Sequence, residues 1–127
     1  MDVASWMNRA PVVTSPDETL RTALLKMQLE ELDSLPVVMS GFLVGMVTKA
    51  SILDSLQGGH PGALLDDPAL TGNVITCMLP APVVCRPTDS LSAVGLMLSV
   101  MDLGQLPVVR TDHSLMGIVE RETVFAE

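Results

Sequence analysis

The tetrapeptide Leu-Pro-Val-Val occurs twice, at 35–38 and 106–109, and its surroundings repeat with it. At this offset of 71 residues, MNRAPVVTSP (Met7 to Pro16) lies over MLPAPVVCRP (Met78 to Pro87). Leu20, Leu25 and Leu32 fall on Leu91, Leu96 and Leu103. One residue is inserted after the second LPVV, so that Gly45 of GMV pairs with Gly117 of GIV at an offset of 72. A register kept over so many positions with one gap means two copies of one structural unit. A chain of 127 residues, about one domain long, is therefore a small unit built twice.

The order within each copy is readable. PVV after a proline is a short apolar run of the buried-strand kind. SPDETLRTALLKMQLEEL follows as a helix, with Pro and acids expected in its first turn and Leu20, Leu24 and Met27 on one face. In the second copy Leu91, Val94, Leu98 and Met101 keep that spacing. LPVVMSGFLVGMV gives two β-branched runs around Ser40-Gly41, a hairpin signal. TKASILDSL closes the unit as a short helix, and ASWM and NVITCM are short lead-in helices. The reading is β-α-β-β-α, twice: an α+β fold with one copy over 1–56, a Gly/Pro-rich linker over 57–72 and the other copy over 73–127. A three-stranded sheet with two helices buries little alone. The two copies are thus expected to pack sheet to sheet about a pseudo-two-fold axis.

Composition sets limits. Nearly half the residues are apolar, but Trp6, Phe42 and Phe125 are the only aromatics, so the core rests on Leu, Val, Met and Ala. A formal charge of −8, with no aromatics interleaved among basic residues, argues against nucleic acid. No run of 18 apolar residues reads as a membrane span, and the N-terminus has no signal-peptide pattern. Cys77 and Cys85 lack CxxC spacing and read as reduced core residues. The expectation is a cytoplasmic chain.

A β-α-β-β-α unit with a proline-led first strand, LPVV on the second strand and G-[MI]-V on the third resembles a CBS domain. The resemblance covers about 3–56 and 74–125, a tandem pair. It implies a regulatory rather than catalytic module and a homodimer. It also implies an adenine-containing ligand such as AMP, ADP, ATP or S-adenosylmethionine in clefts between the copies.

Nucleotide-binding copies of the family often carry Gly-hydrophobic-x-Thr/Ser-x-x-Asp/Asn at the third strand and last helix. Hydroxyl and backbone N–H groups at that helix start hold phosphate, and the carboxylate holds the ribose. Here GMVTKAS supplies Thr48 at the hydroxyl position and Ser51 at the Asp position. GIVERET puts Glu120 at the Thr position, where it repels phosphate, and Thr123 at the Asp position. Lys49, Arg86, Arg110 and Arg121 lie at strand ends that the resemblance turns toward the cleft, with Glu120, Glu122 and Asp112 as competing partners. The candidate ligand site is thus Thr48, Lys49, Ser51, Arg86, Arg110, Arg121 and Thr123. A ligand-independent dimerisation module is the alternative.

No catalytic or metal constellation is found. His60 falls in the linker and His113 in a hairpin turn, without partners at metal-ligand spacing, and Asp66-Asp67 is a solvated pair. Neither thiol has a base beside it, which argues against an enzyme. Gly95, inside the second copy's long helix, is unfavourable there and is expected to permit close approach of another backbone at a helix-helix contact between copies or subunits.

Overall fold

The computed structural model describes residues 2–55, 68–80 and 82–125. The first copy forms helix α1 (Leu20–Leu29), strands β1 (Ser34–Met39) and β2 (Phe42–Thr48), and helix α2 (Lys49–Asp54). The second forms α3 (Leu91–Val100), β3 (Gln105–Val109), β4 (Leu115–Glu120) and α4 (Arg121–Phe125). Both lead-in segments form single 3-10 turns, Val3–Ser5 and Val74–Thr76. Most of the Gly/Pro linker, with His60 and Asp66-Asp67, lies outside the described residues.

Each hairpin is a two-stranded sheet, β1 with β2 and β3 with β4. The expected first strand is reduced to a single parallel bridge in each copy, Thr14 to Val37 and Cys85 to Val108. Pro11 and Pro16 bracket one of these segments and Pro82 and Pro87 the other, and prolines cannot donate to a ladder. The Ser40-Gly41 turn has positive φ at both residues, 53° and 86°, as a two-residue hairpin connection requires. The long helices begin later than the sequence suggests. Thr19 and Ser90 cap them by accepting from the amides of Thr22 and Ala93, each at 3.1 Å, so Pro16, Asp17 and Glu18 precede the helix. Both helices end on a residue with left-handed φ, Glu31 (55°) and Asp102 (52°).

The compact units do not follow the repeats. One comprises Val12–Met39 and Val44–Pro82, and the other Met1–Pro11, Ser40–Leu43 and Val83–Glu127. Each copy's helices and strands are therefore grouped with the other copy's lead-in. Val74 N and Ile75 N donate to Glu18 O and Pro16 O at 2.8 and 3.0 Å in the first unit. Val3 N and Ala4 N donate to Asp89 O and Pro87 O at 2.9 and 3.0 Å in the second. The cores have the same make-up. Leu70 and Val74 join Leu20, Met27, Leu35, Val37, Val47 and Ile52 in one, while Val3 and Met7 join Leu91, Leu98, Leu106, Val108 and Val119 in the other. Val37 and Val108, paired by the repeat, are both fully buried.

This grouping explains the paired glycines. Met46 and Leu79 exchange backbone hydrogen bonds of 3.0 and 2.6 Å, as Ile118 and Asn8 do at 3.0 and 2.7 Å. The lead-in chain passes directly over the glycine one residue earlier. A Cβ on Gly45 would stand 2.8 Å from the Leu79 carbonyl oxygen, and one on Gly117 would stand 2.4 Å from that of Asn8. Gly95 also marks a close approach, but to the side chain of Val124 on α4, 2.8 Å from where its Cβ would be.

Candidate functional site

In the first unit, β2 runs into α2 through Thr48, and the local sequence closes this junction on itself. Thr48 Oγ1 accepts from Ser51 N at 2.9 Å, and Ser51 Oγ accepts from Thr48 N at 3.1 Å, a reciprocal capping box. Ser51 Oγ also donates to Thr48 O at 2.9 Å, so both its capacities are engaged. The Lys49 amide donates to Asp33 O at 2.8 Å. Of the first three amides of α2, two are thus taken. Two groups remain for a ligand at this turn. The Thr48 hydroxyl keeps its proton, which goes to no described acceptor, and the half-buried Lys49 ammonium has no carboxylate within 4.0 Å among the described residues.

The four candidates of the second copy separate into two places. Successive antiparallel strands end at opposite ends of their hairpin, so the residue after β3 and the residue after β4 cannot be neighbours. Arg110 follows β3 at the turn, and Arg121 follows β4 at the open end, where Gln105 faces Glu120. Five residues of strand, roughly 17 Å, lie between them. The structure thus places Arg110 and Arg121 at opposite ends of the hairpin.

Arg121 N donates to Gly104 O at 2.9 Å, matching Lys49 and Asp33, and its guanidinium forms an ion pair with Asp102 at 3.0 Å. That partner was not among the acids anticipated, Glu120, Glu122 and Asp112. Thr123 sits half-buried one turn into α4. At the hairpin turn, Arg86 Nη1 donates to the Arg110 carbonyl, and Arg110 Nη1 donates to Ser114 Oγ at 3.2 Å.

Sequence reasoning missed a polar cluster in the first unit. Lys26 Nζ donates to Glu18 Oε1 and Oε2 at 2.8 and 2.9 Å and to Val13 O at 2.9 Å, while the Thr14 hydroxyl donates to Glu18. Burial pushes the Glu18 carboxyl up, but the hydrogen bonds from Lys26 and Thr14 and the Lys26 charge outweigh it, and the group lies below its ordinary value. The signal was a lone Lys on the face that the second copy fills with Met97. Cys85 is buried, and burial, with the Asp89 charge adding, pushes its thiol up to about 12. It is no nucleophile at neutral pH. Among the described residues no group of three or more His, Cys, Asp or Glu is placed to hold a metal, and no helix is long and apolar enough to cross a membrane.

These features are those of a fold built from paired repeats, and the family model for the CBS domain matches the chain twice, over residues 2–58 and 72–127. The chain belongs to the CBS domain family, whose modules are generally regulatory. Solved structures agree. MJ1225 of Methanocaldococcus jannaschii is 22% identical with a TM-score of 0.86 over 98% of this chain, which spans only 46% of that protein. The CBS-pair protein CBSX2 of Arabidopsis thaliana is 26% identical with a TM-score of 0.84, covering 98% of this chain and 92% of that one. A structure of CBSX2 in complex with AMP gives 26% identity and a TM-score of 0.82, with 98% and 94% covered. No curated protein sequence matches at the same stringency.

Proposed function

We propose that this chain is a sensing module that binds an adenine nucleotide or related ligand weakly, through the β2–α2 turn of the first copy. The observation that carries the reading is the Thr48 turn, with a hydroxyl proton and an adjacent ammonium unclaimed among the described residues. The AMP complex of CBSX2, similar along nearly the whole chain, supports the choice of ligand class. Thr48 and Lys49 take the phosphate, and Ser51 serves as a positioning residue, because its hydroxyl holds the cap. Arg121 and Thr123 form the weaker second-copy turn, where Glu120 opposes phosphate and Asp102 competes for the guanidinium. AMP, ADP, ATP and S-adenosylmethionine are the ligands to test, and the output is a shift between two arrangements of the module with different affinities for the ligand.

A ligand-independent dimerisation module is the second reading. It is favoured by apolar side chains left at the surface of both long helices, Leu29 at 80%, Leu96 at 65% and Val100 at 75% exposure. Either reading includes a cytoplasmic homodimer. A thermal-shift screen with the four ligands and NADH tests the first against the second. A rise in melting temperature with at least one adenine compound supports sensing. A flat response, together with a dimeric mass by light scattering at tens of micromolar, supports the dimerisation module.

A further inference from the structure

In a chain with 15 acidic and seven basic residues, two guanidinium groups are fixed to one turn without an ion-pair partner among the described residues. Arg86 Nη1 donates to the Arg110 carbonyl, while Arg110 Nη1 donates to Ser114 Oγ at 3.2 Å and reaches the Leu115 carbonyl at 3.5 Å. These bonds hold both arms on the turn and reduce the entropy lost when a ligand is gripped. A guanidinium has five N–H donors, so both retain donors, and neither meets a carboxylate within 4.0 Å among the described residues. Asp112 is the acid of this turn, and its Oδ1 accepts from Ser114 N at 3.0 Å and Ser114 Oγ at 2.6 Å. Those two bonds, with a smaller contribution from the Arg110 charge, hold its carboxyl below the usual range. Asp89 Oδ2 accepts from the Arg86 amide at 2.9 Å and Asp112 is directed at Ser114, so neither neighbouring carboxylate is paired with a guanidinium among the described residues. The first copy has Ser15, Met39 and Phe42 where the second has Arg86, Arg110 and Ser114, so the hairpin does not need this cluster in order to fold.

We propose that Arg86 and Arg110 on the 110–115 turn form a binding site for a small, multiply charged oxyanion of the phosphate class, separate from the adenine-ligand turn. Planar guanidinium donors match the oxygens of such an anion in a way that ammonium groups do not. The anion is either free or the phosphate arm of a larger ligand, and two titrations separate these sources. The whole chain is titrated with inorganic pyrophosphate and, separately, with AMP, following the backbone amides of residues 111–115 by NMR. Low ionic strength is used because exposed charges are screened by salt.

With pyrophosphate, saturable shifts confined to this turn are expected, with half-saturation at about a millimolar. Arg86→Gln and Arg110→Gln each weaken the response by about fivefold or more. Arg9→Gln removes an equal charge, from an arginine bonded to the Ala4 carbonyl at 3.2 Å, and serves as the control. Shifts that do not saturate, a response that maps to residues 121–123, or an Arg9→Gln effect equal to the other two would overturn the assignment. A saturable response of this turn to AMP, lost in Arg110→Gln, assigns it the arm of the larger ligand. Absence of AMP binding with the pyrophosphate response intact supports a free anion and counts against the adenine reading alone.

Discussion

Replacing Gly117 with alanine strikes the contact that joins the N-terminal lead-in to the second unit. The new Cβ would lie 2.4 Å from the Asn8 carbonyl oxygen and 3.2 Å from its carbon, so backbone must retreat by about 1 Å to reach ordinary contact. That retreat stretches both Asn8–Ile118 hydrogen bonds, now 2.7 and 3.0 Å, which together contribute about 1–3 kcal/mol. It also draws Val3 and Met7, both core residues, partly out of their places. A wholly buried side chain of this size stabilises by about 1.5–3 kcal/mol, so a partial withdrawal adds roughly 1 kcal/mol. The expected loss is about 2–4 kcal/mol, a fall of about 1–2 M in urea midpoint. Trp6, the only tryptophan, lies on the moving segment and reports the transition by fluorescence. Gly45→Ala, with 2.8 Å to the Leu79 oxygen, should cost less, and Gly104→Ala, with nothing within 4 Å, under about 0.5 kcal/mol. A Gly117→Ala protein as stable as the parent, or a Gly104→Ala protein equally damaged, would refute the close-approach argument.

Three further outcomes follow from other sites. The folded Glu18 carboxyl lies below its ordinary 4.5, so its pairing with Lys26 stabilises fully above that pH and is lost as pH falls through the folded value. Lys26→Met should therefore cost about 0.5–1 kcal/mol at pH 7, the pair being one-third exposed, and progressively less below pH 4.5 in urea titrations. At pH 8 a thiol reagent should label Cys77 in the native protein and Cys85 only after unfolding; rapid labelling of both would contradict the burial of Cys85. Glu31 closes α1 with a φ of 55°, which glycine adopts without penalty, so Glu31→Gly should raise stability by about 0.5–1 kcal/mol, and a lower melting temperature would count against it.

The parts of the fold legible in the sequence are those that depend on equivalence. The offset of 71 pairs Val37 with Val108 and Thr19 with Ser90, and in the structure the first pair is equally buried and the second makes the same cap. Equivalence does not say which copy a segment packs on. Val3 and Val74 hold matching places, yet each is bonded into the other copy's unit, and only three-dimensional contact reveals it. The separation of Arg110 from Arg121 was available from strand direction alone, since the ends of two antiparallel neighbours cannot meet. Ser51 was read by its position in a ligand motif, whereas its chemistry first satisfies the orphan amides of a helix start. The Lys26 cluster went unseen because Lys26 lies eight to thirteen residues from its partners and meets them only through a turn.

Calorimetric titration of AMP into the intact chain and its Thr48 variants tests the ligand-sensing reading most directly. About one nucleotide per chain is expected, with a dissociation constant of roughly tens of micromolar or weaker, because no carboxylate stands where a ribose contact is usual. Thr48→Ser keeps the cap and the hydroxyl proton and should bind like the parent; Thr48→Ala should lose about tenfold or more, and Glu120→Ala should not weaken binding. Tight binding of two nucleotides per chain, or equal losses from Thr48→Ala and Glu120→Ala, would contradict the account.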